Sequence, residues 1–271
     1  MKRSIPFAKL SLLEVASSRA LFGGTLLMLA VIVGTASLMW LEFRRTEAQD
    51  RKQLELLASV MESHASQVFD NTKLALDSLA KSLTTENHTP AQLEAQQSYR
   101  LQGLPFLRSI AIVSSEGLVL ASTTASDRGG KVDLQRLPPS PATDERVVIG
   151  AWVHGRTLTQ DMRNAAVPAG LGYIPMVRLV RLPSNAVVTL VAQINPDALA
   201  TYQRQLMEAG HPGTQVMLAL DNGTLLTQVG NDTLNLGSSL GTHPLFQGLL
   251  PAHKGTYGPL QTFQARSLGA W

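Results

Sequence analysis

The chain has 271 residues, 44% of them hydrophobic, 16% charged and 5% aromatic, with a formal net charge of +3 and no cysteine. That apolar fraction excludes a disordered chain, and the missing cysteines exclude disulfide scaffolds, thiolate zinc sites, iron–sulfur clusters and cysteine nucleophiles. Lys2, Arg3, Lys9 and Arg19 against Glu14 alone put the whole net charge in residues 1–19, so the rest of the chain is neutral and no nucleic-acid partner is expected.

Ala20 to Leu41 is a run of 22 residues without a formal charge, long enough to cross roughly 30 Å of hydrocarbon at about 1.5 Å per residue. Trp40 sits at one end, where an indole prefers the bilayer interface, and Arg19, Arg44 and Arg45 flank the run. A cleaved signal peptide is the alternative, with Gly34-Thr35-Ala36 as small residues at a cleavage position. The uncharged run continues past that point through Leu38, Met39, Trp40 and Leu41, which favours an uncleaved transmembrane helix seated in the lipid bilayer. Lysine and arginine balance across the two flanks, so orientation follows from the short first segment. Residues 1–19 are read as a cytoplasmic tail of the inner membrane, with the large portion periplasmic.

Residues 45–84 contain neither Pro nor Gly and read as one long stalk helix. Leu54, Leu57, Met61, His64 and Val68 recur at spacings of 3 and 4, and Phe69, Thr72, Leu76, Leu79 and Leu83 continue on a shifted stripe. Such stripes bury a helix against a partner helix or a sheet. His64 lies on the first stripe, and with no acid directly after it and no Pro nearby it is read as a packed or interface histidine, not a phosphoacceptor or metal ligand.

After Asn87-His88-Thr89-Pro90 a short helical stretch runs from Ala91 to Gln102. Leu107 to Ser114 and Leu118 to Thr123 then form a hairpin around Ser115-Glu116-Gly117, and Ser126 to Glu145, rich in Gly and Pro, is a surface loop. Further strands are expected over Arg146 to Arg156, Gly172 to Arg181 and Ala186 to Ile194, with Pro175 demoting the second to an edge or a late start. Asn195 as N-cap, Pro196 at the first position and Asp197 in the first turn open a helix that Gly210 ends. Strands that meander without intervening helices define an α+β module with an antiparallel sheet. Gln215 to Leu220 and Thr224 to Val229, joined by Asp221-Asn222-Gly223, restart the hairpin signature of Ile110 to Leu120. The organisation read from this is a first module over 85–209 and a second over 210–271 that stops well short of the first module's length.

These features resemble the extracytoplasmic double Cache input region of bacterial membrane sensors, whose modules are PAS-like. The residues that carry the resemblance are the span at 20–41, the stalk, Phe106 to Val113 with the Glu116-Gly117 turn, Ile149-Gly150-Ala151-Trp152, Tyr173-Ile174-Pro175-Met176 and Val191 to Pro196. The resemblance implies a homodimer through the stalk helix, a small-molecule ligand on the membrane-distal module, and a cytoplasmic output domain reached through a second span. Diguanylate cyclases have the most similar input regions, followed by histidine kinases and chemoreceptors. The Arg-Trp-Tyr core of amino-acid-binding relatives is missing, with only Trp152, Arg156 and Tyr173 loosely similar. No second span, GGDEF-type loop, acceptor-histidine box or ATP site is present, so the expectation is a sensor cut off within its second module.

Gly237-Ser238-Ser239-Leu240-Gly241 matches the G-x-S-x-G nucleophile elbow, but the strand it requires is poor and no Asp or Glu follows Asp232, which leaves no triad in the usual order. The other class in view, a non-signalling envelope protein or a hydrolase using Ser239, rests on that motif alone. His211, His243 and His253 are scattered, so neither a metal nor a cofactor is expected, and no catalytic residue is assigned. Asn87, Asn222 and Asn231 begin N-x-T sequons, which carry no meaning in most bacteria. Strand parity puts Val147, Ile149, Ala151 and Val153 on one face and Val148, Gly150, Trp152, His154 and Arg156 on the other. The second face supplies candidate ligand-binding residues Trp152, His154 and Arg156, with Tyr173 and Arg178 from the next strand, as an aromatic wall and cations suited to an anion.

Overall fold

The computed structural model describes residues 8–85, 103–139, 146–159, 170–210, 215–230, 235–242, 254–256 and 262–264. Two compact units divide the chain, Met1–Leu54 and Glu55–Trp271. The first holds the leading part of helix α1, which runs from Ala8 to Thr85. Within it Gly23–Thr46 is long and apolar enough to cross a membrane, and no other protein surface covers it. Thr35 Oγ1 donates to the carbonyls of Val31 and Ile32 at 2.9 and 3.0 Å, so its hydroxyl is satisfied inside the helix, as an apolar surrounding demands. The guanidinium carbon of Arg44 lies 4.5 Å from the centre of the Trp40 ring. The span and stalk expected as separate helices form one, because nothing in residues 42–44 breaks the backbone pattern.

The second unit is built on an antiparallel sheet of β1 (Leu107–Ser114), β2 (Val119–Ser122), β3 (Val147–Ile149), β4 (Val153–His154), β5 (Gly172–Arg181) and β6 (Val187–Ile194), ordered β2-β1-β6-β5-β3 with β4 also on β5. One face takes Ile110, Ile112, Ile174, Met176, Leu190 and Ile194 and packs on Val68, Phe69, Leu76, Leu79 and Leu83 of α1. The 3–4 stripe is therefore buried by a sheet. Each such fully covered Leu or Ile contributes about 1.5–3 kcal/mol, which makes this face the main source of stability. The opposite face carries a second cluster with Ala111, Val113, Tyr173, Val177 and Val191, roofed by Val132, Leu137 and Leu158 from the connecting segments.

Two expectations for this sheet are corrected. Arg146 to Arg156 is not one strand. Ile149 pairs with Met176 but Val153 with Tyr173, so the register moves by one residue between β3 and β4. Such a slip exchanges the faces, and Val153 joins Val148 in the second cluster instead of sharing the α1 side with Val147 and Ile149. Gly150 permits the detour, since a Cβ there would lie 2.7 Å from both Pro138 Cδ and Pro175 Cγ. Nor is β5 an edge: it is flanked by β6 on one side and by β3 and β4 on the other. Pro175 is tolerated because its carbonyl accepts from Gly150 N, at the break between β3 and β4. The missing N–H therefore faces the one interrupted stretch of a neighbouring ladder.

Helix α2 (Pro196–Gly210) follows β6, with Asn195 Oδ1 accepting from Asp197 N at 3.2 Å as the N-cap reading requires. Its Met207 joins Met61 of α1 and Val229 in a third cluster, and its Tyr202 ring stacks on His64 with centroids 3.7 Å apart. Burial pushes the His64 imidazole below its ordinary value. The folded state then binds fewer protons than the unfolded chain, so stability is fully present above the ordinary histidine value and is lost as pH falls through it toward the lowered one. Melting temperatures of the full chain are expected to fall between pH 7.5 and 5.5, with His64→Phe flattening that slope; an unchanged slope removes His64 as its cause.

Strands β7 (Val216–Ala219) and β8 (Leu225–Val229) form the second hairpin, and β9 (Lys254–Thr256) pairs with β10 (Thr262–Gln264). The two hairpins repeat each other bond for bond. Gly117 N donates to Ser114 O and Gly223 N to Leu220 O, while Ser114 N and Leu220 N reach Leu118 O and Thr224 O. The segment that returns over each turn is also repeated, with Val132 N on Gly117 O at 2.8 Å and Leu240 N on Gly223 O at 2.7 Å. Left-handed glycines occupy matching places, Gly117 and Gly223 at φ of 85° and 83°, Gly129 and Gly237 at 67° and 80°. The expected Ala91 to Gln102 helix lies outside the described residues, as do the loop's end at residues 140–145, His211, His243, His253, Asn87 and Asn231.

Candidate ligand-binding site

The sheet face turned away from α1 carries an open groove of about 320 Å³ at its far end. Thr189 and Val187 of β6 and Leu179 of β5 line it, together with Ser114 and Ser115 at the end of β1 and Leu134, Leu137, Pro138 and Pro139 of the long loop. This volume is at the lower end of what small-molecule sites use. The loop is held down at Asp127, a fully buried carboxylate that accepts from Leu158 N at 3.3 Å, Thr159 N at 3.2 Å and Thr159 Oγ1 at 2.9 Å. Gly130 makes the close approach possible, since a Cβ there would lie 2.6 Å from Thr159 Cγ2. Further along the same face Ser109 Oγ donates to Gln193 Oε1 at 2.6 Å, both residues buried, with Gln193 Nε2 left without a partner among the described residues.

The five residues proposed for a ligand do not gather at one surface. Tyr173 is buried in the second cluster. Arg178 points to the opposite side of the sheet and is ion-paired with Asp77 of α1, whose other oxygen lies 3.6 Å from Lys73 Nζ. Trp152 and His154 are half-buried with ring centroids 5.9 Å apart, and Arg156 is exposed. The Trp152 indole packs against Gly172 and reaches Gly237 of the second hairpin's return segment, which seats that segment on the first sheet. The slip at Gly150 is what separates these side chains from the predicted wall.

Arg108, which lies within the Phe106 to Val113 stretch but is not a candidate site residue from the sequence, occupies a more structured place. Leu107 pairs with Ile194 and Ser109 with Gln193, which leaves Arg108 as the extra residue of a bulge. Its guanidinium donates to Gly172 O and Asn195 Oδ1 at 2.7 Å and to Asp197 Oδ2 at 3.1 Å, tying β1, β5 and the start of α2 together. Burial, and less so the charge of Arg156, lower its proton affinity, while Asp197 opposes them. Ser239 is placed by the repeat: it bridges Thr224 as Lys131 bridges Leu118, and its Oγ accepts from Gly241 N at 3.2 Å. The G-x-S-x-G match is thus a turn-and-bridge element with no strand-to-helix elbow around it among the described residues. Those residues also hold no group of three or more His, Asp or Glu placed to bind a metal.

No family model matches the chain, and no curated protein does. Solved structures do. The extracellular domain assigned to a histidine kinase is similar with a TM-score of 0.60 at 19% identity, over 78% of this chain and 83% of that one. An extracellular ligand-binding receptor from Desulfohalobium retbaense gives 0.55 at 11%, over 76% of this chain and 36% of that one, so the present chain spans about a third of it. The ligand-binding domain of the amino acid chemoreceptor PctB of Pseudomonas aeruginosa, solved with L-Arg, gives 0.52 at 14%, over 71% and 70%. The fold is therefore α+β, an antiparallel sheet packed on a long N-terminal helix, and is similar to that of these extracellular domains.

Proposed function

We propose that this chain is the input region of a membrane-anchored signalling protein, with its second unit outside the cytoplasm and a small molecule as the signal. The observation that carries the reading is the architecture of α1: the helix with the apolar segment Gly23–Thr46 also forms one side of the sheet's core through Val68, Phe69, Leu76 and Leu79. A ligand on the opposite face would change how the sheet packs on that helix. The repeated hairpin supports a second sensor module beginning near residue 210, hence a double Cache arrangement with 85–209 as the first module. The output is a cytoplasmic domain such as a diguanylate cyclase, or the kinase or chemoreceptor equivalent.

A ligand that binds the folded state at a hundred times its Kd adds about 2.7 kcal/mol of stability. For a unit of this size that raises Tm by about 5–10 °C. The full chain in lipid nanodiscs, heated against a metabolite panel, is expected to show such a shift with at least one compound; no shift across a broad panel contradicts direct sensing.

The homodimer has support on the outer side of α1. Leu56, Val60 and Leu74 are exposed at 67%, 45% and 64%, separated by 4 and 14 residues, a heptad rhythm distinct from the stripe that faces the sheet. Val60→Cys is expected to form disulfide-linked dimers in membranes while Lys73→Cys does not; equal cross-linking at both removes the stripe as the interface.

A further inference from the structure

The groove at the end of β5 and β6 has a chemistry that narrows the ligand. Among the described residues its lining is Leu134, Leu137, Pro138, Pro139, Leu179 and Val187, all apolar, with the hydroxyl residues Ser114, Ser115 and Thr189. None is charged. Thr189 is a mostly buried residue that lines the groove, and its hydroxyl makes no hydrogen bond to another side chain or backbone group among the described residues. A hydroxyl that opens on a groove without a protein partner is free to bond a water or a ligand there. Ser114 Oγ accepts from Glu116 N and Leu118 N at 3.3 and 3.0 Å, so its own proton remains to be donated. Two hydroxyls thus face a mostly aliphatic groove whose rim is stiffened by two consecutive prolines.

We infer that this groove binds an uncharged small molecule, apolar over most of its surface and carrying a hydroxyl or carbonyl that meets Thr189 and Ser114. The inference rests on the sensor reading and specifies its ligand class. A zwitterionic amino acid or a carboxylate would bring charge against a described lining that holds no counter-ion, and an unpaired ion loses several kcal/mol of hydration on burial. Arg178, expected to hold an anion, is paired with Asp77 on the α1 side, and the guanidinium of Arg108 is bound to Gly172 O, Asn195 and Asp197.

The test uses three molecules with one ring skeleton, benzyl alcohol, benzoate and L-phenylalanine, titrated into the full chain in nanodiscs and read by ligand-observed saturation-transfer NMR. Benzyl alcohol is expected to bind saturably, at least tenfold tighter than the two charged probes. Thr189→Val, which keeps the shape and removes the hydroxyl, is expected to weaken it about three- to tenfold. Leu179→Trp, with Val187→Phe as a second groove-filling variant should the first not fold, is expected to abolish it. Benzoate or phenylalanine binding as tightly as the alcohol, and lost in the filled variants, overturns the uncharged class while the sensor reading stands. Signals unchanged in the filled variants overturn the groove as the site. A metabolite that stabilises both the wild type and the filled variants also removes the groove but preserves sensing, whereas stabilisation by none contradicts the sensor reading itself.

Discussion

Asp127→Ala is expected to cost about 3–5 kcal/mol, the largest loss of any polar substitution in the second unit. The carboxylate is fully buried and is the acceptor for Leu158 N, Thr159 N and Thr159 Oγ1. Removing it strands three donors in a region roofed by Val132 and Leu158, and each unsatisfied donor costs about 1–3 kcal/mol, with water entering the space left behind to offset part of it. Asp127→Asn should lose less, because the amide keeps one acceptor oxygen. Thermal unfolding of the two variants checks the order, and an alanine variant within about 1 kcal/mol of wild type would show that the loop is not held through Asp127. Because that loop forms a wall of the groove, Asp127→Ala should also weaken any ligand that binds there.

Gly172→Ala is the second large effect. A Cβ at this position would overlap Cε2, Cζ2 and Nε1 of the Trp152 indole, so the ring must leave its seat. Overpacking of this kind costs about 1–3 kcal/mol and more where backbone must shift. The same indole reaches Gly237, so displacing it also loosens the return segment of the second hairpin from the first sheet. With Trp40 and Trp271 replaced by Phe, the remaining emission is expected to shift to the red in Gly172→Ala. The double variant with Trp152→Ala should be much less unstable than the sum of the single changes, since the clash and its partner vanish together. Additive effects would place the cost of the alanine elsewhere.

The regular elements were legible because each is governed by a short-range pattern. The two α1 stripes, β1, β5, the Asn195 cap and both glycine turns follow from spacing and from residues that fit one backbone shape, and each stands where that pattern put it. What failed was parity carried across a break. Alternation in 147–156 assigns faces only while the register holds, and Gly150 lets the chain insert one residue, so Val153 and Trp152 exchange sides. Pro175 sits inside the sheet for a related reason. Its cost depends on which neighbour its N–H would face, and that neighbour is interrupted by the same break. Arg108 could not be found from composition, because its importance comes from a bulge and from Gly172, Asn195 and Asp197, which are distant in sequence. Gly129 and Gly237 follow Gly117 and Gly223 by 12 and 14 residues and, left-handed in the structure, mark the return segments of the repeat, so Gly237-Ser238-Ser239-Leu240-Gly241 is a turn of that repeat.

Whether the second unit stands outside the cytoplasm decides the proposed function most directly. The chain has no cysteine, so a single Glu116→Cys on the exposed β1–β2 turn gives one unambiguous reporter. In spheroplasts with a sealed inner membrane, a membrane-impermeant maleimide is expected to label Glu116→Cys fully before any permeabilisation. Labelling that occurs only after the membrane is opened would put the sheet and its groove in the cytoplasm and contradict an input region for external signals.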